Sequence, residues 1–143
     1  MEEFNYIHSI EVRFRDIDVL GHVNNSVMFT YIETARVPFL ATIRGRQTDK
    51  NLSNISFIVA HINCDFRKPV FYGQAVEVGT RITQVNRSSM KLEHRVEADG
   101  EVVVEGYCIL VHYDYRANKS VPISAEMVAK IESFEGRTVK TGE

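Results

Sequence analysis

Alternation of apolar and polar residues marks β-strands along most of the chain. Ile10, Val12 and Phe14 alternate with charged residues, which predicts a first strand that ends beside a group of acids. An apolar run at residues 55–66 predicts a further strand, and alternation resumes at residues 76–82 after a proline and a glycine typical of a turn. These patterns favour a protein built largely of strands.

The most regular alternation lies in the second half of the chain. Residues 90–97 place apolar side chains and one histidine on one face and charged side chains on the other, which predicts a strand with one buried and one wet face. Asp99 and Gly100 follow, and this pair is typical of a tight hairpin turn that needs two positive φ angles. The hairpin leads into another predicted strand at residues 102–113.

Two helices are predicted among the strands. Apolar residues occupy nearly every side of a helix at residues 25–43, which predicts that this helix is buried, with a length of about 27 Å. Pro38 removes a backbone donor inside it, so we expect a kink or a break there. Ser124 predicts the cap of a second, amphipathic helix at residues 125–134, and we expect the remaining residues to be frayed.

The order of these elements predicts the fold class. One strand, a long buried helix, four strands in succession and a terminal helix are typical of an α+β protein, with a curved antiparallel sheet of about five strands around the long helix. The sequence contains no internal repeat or linker, and 143 residues are enough for one hydrophobic core. We therefore expect a single domain over residues 1–143, with 135–143 as a flexible tail.

Composition excludes several classes of function. A net charge of -2 gives no overall attraction to nucleic acid or to a membrane surface. Cys64 and Cys108 lie in strand patterns without metal-binding spacing, and we expect reduced thiols. No apolar run approaches the roughly 20 residues of a membrane span, and the amino terminus lacks the apolar region of a signal peptide. We expect a soluble, cytoplasmic protein without a metal or a redox cofactor.

The polar residues that precede the long helix are the candidate chemistry. Asp16 and Asp18 follow the first strand, and Asn25 stands where the cap of the helix belongs. The start of a helix offers free backbone N–H groups and a partial positive charge, so a carbonyl group can be polarised there beside a carboxylate. Farther along the helix, Glu33 and Arg36 are spaced to form a modest ion pair.

This segment resembles a known family. The motif Arg-Phe-Arg-Asp-Ile-Asp-Val-Leu-Gly-His-Val-Asn-Asn at 13–25, followed by Tyr-Ile-Glu-Thr-Ala-Arg at 31–36, is similar to the signature of hotdog-fold acyl-CoA thioesterases of the 4-hydroxybenzoyl-CoA thioesterase class. The resemblance extends to the strand order and the chain length. It implies a hotdog fold and hydrolysis of an acyl-CoA thioester to a free acid and CoA.

The resemblance also implies roles for residues. Asp18 matches the catalytic carboxylate, as a nucleophile or as a general base, and a backbone N–H near Asn25 would hold the thioester oxygen. Some members carry a histidine at the position of Asn25, whereas the nearest histidine here is His22, which is either a second catalytic group or a loop residue that bonds the backbone. Asp16 is expected to be structural. The candidate catalytic residues are Asp18, Asn25 and His22.

Substrate contacts are expected in three places. The catalytic loop would contact the substrate, the acyl chain would lie between the long helix and residues 57–62, and basic turns would bind the phosphates of CoA. Related enzymes often present small and basic residues at the strand turn that corresponds to 87–91. The predicted contacts are Gly21, Val23, Asn24, Val59, Ala60, Arg67, Arg87, Ser88, Ser89 and Lys91.

Partners and alternatives follow from the same resemblance. Hotdog domains pair edge to edge with active sites at the interface, so we expect a homo-oligomer with a dimer unit and a tetramer as the assembly. The alternatives are a thioesterase that acts on acyl-carrier protein, or an acyl-CoA-binding module without turnover. Asp18 and the helix-start motif speak against the binding module, and a hotdog dehydratase fits less well because its Asp/His pairing is not the one found here.

Overall fold

The computed structural model describes residues 1–45 and 55–141. Within them the chain forms an antiparallel sheet and two helices, and the α+β prediction is confirmed. The strands are β1 (Tyr6–Ile10), β2 (Ile55–Ile62), β3 (Asp65–Phe66), β4 (Val76–Val85), β5 (Ser89–Ala98), β6 (Glu101–Asp114) and β7 (Lys119–Ser120). The helices are α1 (Asn25–Arg44) and α2 (Ala125–Glu135).

The main sheet has the order β1-β4-β5-β6-β2, and the short strands β3 and β7 both pair with β6. The hairpin between β5 and β6 turns at Asp99 and Gly100 with φ angles of 51° and 82°, as predicted. Strand β2 lies at one edge of this order, and a bulge between Val59 and His61 interrupts its pairing with β6. A strand edge of this kind presents backbone groups that can pair with another strand.

Helix α1 packs its two halves against opposite ends of the sheet. Its first half joins a core cluster with Val76 and Ala98, and its second half joins a cluster with Val85 and Met90. The helix therefore runs along strands β4 and β5. Residues near Asn25 therefore lie at one end of the molecule, and residues near Arg44 lie at the other.

Two predictions about helix α1 are wrong. It is not buried on every side, since a strip that includes Thr30, Glu33, Thr34 and Val37 is exposed. It also continues through Pro38 without a break. A proline removes only one backbone hydrogen bond, and the buried contacts of Phe39 and its neighbours hold the second half in place.

Both ends of the chain also differ from expectation. The first strand ends at Ile10, and Phe14 lies exposed in a short 3-10 turn instead of continuing the strand. The segment after α2 is docked up to Thr141, because Val139 is buried and its N–H donates to the Glu132 carboxylate at 2.8 Å. Within the described ranges, neither helix combines the length and the apolar character that crossing a bilayer requires.

Candidate active site

The loop that carries Asp18 is a closed turn between β1 and α1. Ile17 and Val23 pair as an isolated antiparallel bridge, and the Asp18 N–H donates to the His22 carbonyl at 3.1 Å. Gly21 has a φ of 88°, a conformation that a side chain disfavours, and its N–H donates to the Asp18 carbonyl at 2.9 Å. The glycine therefore serves the shape of the loop.

The Asp18 side chain is half-buried and held at both oxygens. Oδ1 accepts the backbone N–H of Leu20 at 2.9 Å, and Oδ2 accepts the side-chain amide of Asn24 at 3.0 Å. Two donors at fixed positions orient the carboxylate without enclosing it. This geometry is suited to a group that must meet a substrate atom from one defined direction.

Asn24, and not Asn25, caps helix α1. The Asn24 side-chain oxygen accepts the N–H of Ser26 at 2.9 Å, whereas Asn25 is the first helical residue and is exposed. The predicted cap is therefore wrong by one residue. Among the described residues, the backbone N–H of Asn25 donates to no protein group, so it is a free donor at the helix start.

Asp16 has a structural role, as expected. Its carboxylate accepts the Tyr31 hydroxyl at 2.5 Å and the Arg13 N–H at 2.9 Å, and its carbonyl accepts the Asn24 N–H at 3.0 Å. Burial, followed by the bond to Asp16, raises the pKa of the Tyr31 phenol. The bond between Tyr31 and Asp16 could not be predicted from the sequence, because fifteen residues separate the two and no local pattern links them.

Two predicted loop residues take parts that the sequence did not specify. Val23 is buried in the core, and its N–H donates to the Val70 carbonyl at 2.8 Å, so its side chain packs inside the fold and its predicted substrate contact stays a prediction. The His22 imidazole donates from Nδ1 to the Val23 carbonyl at 3.2 Å and lies edge-on to Phe71. The contact between His22 and Asp18 is therefore made by the His22 backbone carbonyl, which accepts the Asp18 N–H.

Exposed apolar side chains surround the loop. Val19 and Leu20 at its tip are 102% and 74% exposed, and the exposed rings of Phe14 and Tyr72 meet edge-on at 6.0 Å. The loop from 71 to 74 supplies Tyr72 and Phe71. An apolar rim beside a carboxylate can cover a substrate and exclude water from it.

The basic residues predicted to bind CoA phosphates lie in two different places. Arg67 is near the Asp18 end of the molecule, since its N–H donates to the Val103 carbonyl. Its guanidinium forms ion pairs with Glu105 at 3.4 Å and with Asp65 at 3.8 Å. The turn from 87 to 91 lies at the other end of the sheet, beyond Val85. Within one chain this turn therefore lies far from Asp18, and its predicted contact with CoA stays a prediction.

The turn from 87 to 91 is itself well anchored. The Arg87 carbonyl accepts the Ile123 N–H at 2.8 Å, and the Ser88 carbonyl accepts the His112 N–H at 2.8 Å. Ser89 begins β5, and the Lys91 ammonium lies 4.4 Å from the centre of the Tyr107 ring. The Arg87 side chain is exposed. This turn is a rigid, solvent-facing basic corner.

A cavity of about 270 Å³ lies between α1 and β2, where the acyl slot was expected. Its lining residues are Phe29, Thr30, Glu33, Arg36, Val59 and Ile62. Val59 is 42% exposed, and Ala60 is exposed at the bulge beside it. The predicted ion pair is present, with 3.7 Å between Arg36 Nη2 and Glu33 Oε2, but Arg36 is buried at 7% exposure, which the spacing of the two residues does not predict.

His94 and the two cysteines belong to the framework. His94 is buried, its Nε2 donates to the Asn63 carbonyl at 2.9 Å, and burial lowers its pKa to about 4. Burial likewise raises the pKa of the Cys64 thiol to about 11. Both cysteines are free thiols. Across residues 1–45 and 55–141, no three acidic, histidine or cysteine side chains converge as a metal site.

Known proteins share this sequence and fold. The thioesterase-like superfamily matches residues 12–131. The long-chain acyl-CoA thioesterase FadM of Escherichia coli is 29% identical over 127 residues, which cover 87% of this chain and 96% of FadM.

Solved structures of other proteins are also similar to this chain. A thioesterase complexed with coenzyme A and Zn from Thermus thermophilus is 35% identical, with a TM-score of 0.86 over 97% of this chain and 100% of that one. The DHNA-CoA thioesterase from Staphylococcus aureus shares the fold, with a TM-score of 0.80 at 22% identity over 94% of this chain and 97% of that one. By sequence and by fold, this chain belongs to the thioesterase-like superfamily.

Proposed function

We propose that this protein hydrolyses the thioester bond of an acyl-CoA and releases a carboxylic acid and coenzyme A. The observation that carries the proposal is the Asp18 carboxylate joined through Asn24 to a helix start whose Asn25 N–H is free among the described residues. Thioester hydrolysis needs a base or nucleophile and a donor for the developing oxyanion, and this arrangement offers both. The similarity to FadM and to the CoA-bound thioesterase supports an acyl-CoA substrate.

Asp18 can act as a general base. In this route the carboxylate takes a proton from a water molecule while the water oxygen bonds to the carbonyl carbon. The carbonyl oxygen becomes an oxyanion that accepts the Asn25 N–H, and one such donor is worth about 3 kcal/mol in the transition state. Collapse of the intermediate breaks the C–S bond, and the departing thiolate takes the proton from Asp18.

Asp18 can also act as a nucleophile, as discussed for the 4-hydroxybenzoyl-CoA thioesterase class that the motif resembles. A carboxylate oxygen then bonds to the carbonyl carbon, the CoA thiolate leaves, and water cleaves the resulting anhydride. A single turnover in ¹⁸O-labelled water identifies the nucleophile route if the label enters Asp18, because only attack of water on the aspartyl carbon of the anhydride places it there. The base route places the label in the released acid alone.

We propose that two copies of the chain complete one site. The basic corner at 87–91 lies at the opposite end of the sheet from Asp18, so both can serve one CoA molecule only if they come from different copies. The β2 edge, with Val59 exposed, supports pairing of two chains there. Sedimentation at micromolar concentration tests this, because a monomer that is fully active would contradict the shared site.

The proposed activity is tested by release of free thiol from a panel of short, long, branched and aromatic acyl-CoAs. Asp18→Asn should lower kcat by about a hundredfold or more while substrate binding is kept. Glu126→Gln makes the same chemical change at an exposed carboxylate on α2 and should leave kcat unchanged. Equal rates for the wild type and Asp18→Asn would overturn the assignment, and matched acyl-carrier-protein substrates in the same panel distinguish the two thioester donors.

A further inference from the structure

The guanidinium of Arg36 is a buried charge whose hydrogen bonds are incomplete. In the part of the chain that the structure describes, Nη1 is buried and has no hydrogen-bond partner, Nη2 lies 3.7 Å from the Glu33 carboxylate, and the Cys108 thiol is beside the guanidinium. Glu33 is largely exposed, so this pair is weak. A buried charged donor without an acceptor is costly, which points to an acceptor that belongs to another molecule.

The groups packed around Arg36 offer no further negative charge. His94 is held neutral by its buried position, and Cys108 is a buried thiol whose pKa is raised by burial. The Asn63 carbonyl is already occupied by His94 Nε2 at 2.9 Å. Among the described residues, Glu33 is therefore the only carboxylate that balances Arg36, and the pair is close to neutral as a whole.

Arg36 lines the cavity between α1 and β2. The cavity walls next to it are apolar, from Phe29 on the helix and from Val59 and Ile62 on the strand. Thr30 and Glu33 complete the lining on the helix side, so the guanidinium is a cationic donor that faces an apolar strand wall. Sites that combine apolar walls with a small number of polar groups use those groups to fix the orientation of a ligand.

The cavity lies in line with the start of α1. Asn25, Phe29, Glu33 and Arg36 are spaced by three and four residues, so they share one face of the helix. Arg36 is about three turns, or about 16 Å, beyond Asn25 along the helix axis. An acyl chain that leaves a thioester carbonyl at the Asn25 N–H and follows this face would reach Arg36.

We propose that Arg36 selects acyl groups that carry a neutral oxygen acceptor, a keto or hydroxyl oxygen, toward their far end. The proposal rests on the proposed thioesterase function and names the substrate class of that site. The acceptor takes a hydrogen bond from the guanidinium, while Glu33 balances the charge and disfavours a terminal carboxylate. A site built to donate a hydrogen bond discriminates strongly against an analogue without the acceptor, because its buried donor is then left unpaired.

The test compares pairs of acyl-CoAs of equal chain length, one with a plain alkyl end and one with an oxo or hydroxyl group near that end. At the preferred length, the wild type should show a kcat/KM at least about tenfold higher for the oxygenated substrate. Arg36→Met should reduce that ratio to within about twofold. Arg116→Met, the same change at an exposed arginine, should keep the wild-type ratio.

Glu33→Gln gives a second, independent readout at an exposed position. Removing its charge leaves Arg36 unbalanced, so substrates with a terminal carboxylate should gain about tenfold relative to the wild type. This variant and the wild-type ratio decide the proposal even if Arg36→Met fails to fold. No gain with the carboxylate substrate would contradict the electrostatic part of the inference.

Each failure has a distinct signature. If no acyl-CoA is hydrolysed, the proposed function itself is wrong. If alkyl and oxygenated substrates react equally at every length, only the role of Arg36 is overturned. If Arg36→Met keeps the substrate ratio but sediments as a smaller species than the wild type, the acceptor for Nη1 comes from a second copy of the chain, and the inference is overturned in that way.

Discussion

Asn24 connects the start of helix α1 to the Asp18 carboxylate. Its side-chain Nδ2 donates to Asp18 Oδ2 at 3.0 Å, and its side-chain oxygen accepts the Ser26 N–H at 2.9 Å. One amide therefore fixes the carboxylate relative to the Asn25 N–H at the helix start. In the proposed reaction these are the groups that must keep a constant separation while the tetrahedral intermediate forms.

Substitution of Asn24 separates capping from positioning. Asn24→Ser keeps a cap oxygen but loses the amide donor, whereas Asn24→Ala loses both. Both variants should lower kcat by at least about tenfold, and only Asn24→Ala should lose about 1 kcal/mol of unfolding free energy. Thiol-release kinetics and urea unfolding measure the two effects. Full activity of Asn24→Ser would show that the amide does not position Asp18.

His22 should prove to be a loop residue. Because its imidazole donates to the Val23 carbonyl and its own carbonyl holds the Asp18 N–H, we expect His22→Ala to change kcat/KM by less than about threefold. The pH profile of kcat/KM should keep its shape. His61→Ala, at an exposed histidine on β2, is the matched control. A hundredfold loss together with the disappearance of one limb of the profile would make His22 an acid or base in the reaction.

The sequence predicted most elements because their patterns are local. Helix α1 was expected at 25–43 and spans Asn25–Arg44, and the Asp99-Gly100 hairpin has the positive φ angles that its residues favour. Phe14 continued the alternation of a strand, yet it lies in a 3-10 turn that the Asp16 carboxylate stabilises by accepting the Arg13 N–H. A side-chain bond to the backbone overrode the pattern there.

The candidate site was predictable only in part, because burial and distance depend on tertiary structure. The motif placed Asp18 and the helix start together correctly, since they are neighbours in sequence. The three-residue spacing of Glu33 and Arg36 predicted their contact but not that Arg36 is buried beside His94. The turn at 87–91 was assigned to the same site, but the direction of β4 carries it to the other end of the sheet.

His94 should make the stability of the protein depend on pH. Its pKa falls from the ordinary 6.5 to about 4, mainly through burial, with the nearby Arg36 charge acting in the same direction. A depressed pKa contributes stability that is fully present above pH 6.5, where neither state is protonated. Between pH 6.5 and pH 4, His94 binds a proton in the unfolded chain but not in the folded chain. The free energy of unfolding therefore falls by up to roughly 3 kcal/mol over this range.

Urea unfolding at a series of pH values measures this loss. His94→Gln replaces the imidazole by a group that does not titrate, so its stability should change less between pH 6.5 and 4 than that of the wild type. His61→Gln removes an exposed histidine and should keep the wild-type slope. If His94→Gln and the wild type lose stability in parallel over this range, His94 is not the group responsible.

Gly106 leaves the space in which the Asn63 backbone lies against β6. A Cβ atom at position 106 would come within 2.2 Å of the Asn63 carbonyl oxygen and 2.8 Å of His94 Nε2, which are the two atoms of the bond that holds this segment. Gly106→Ala must displace the backbone, so we expect it to destabilise the fold by about 2 to 3 kcal/mol. Gly79→Ala is the comparison, because its Cβ would meet side-chain atoms of Phe4 and Met1 at 2.7 and 2.8 Å and no backbone atom, so it should cost less than Gly106→Ala. Equal midpoints of urea unfolding for the two variants would show that the segment at Asn63 yields as easily as a side chain.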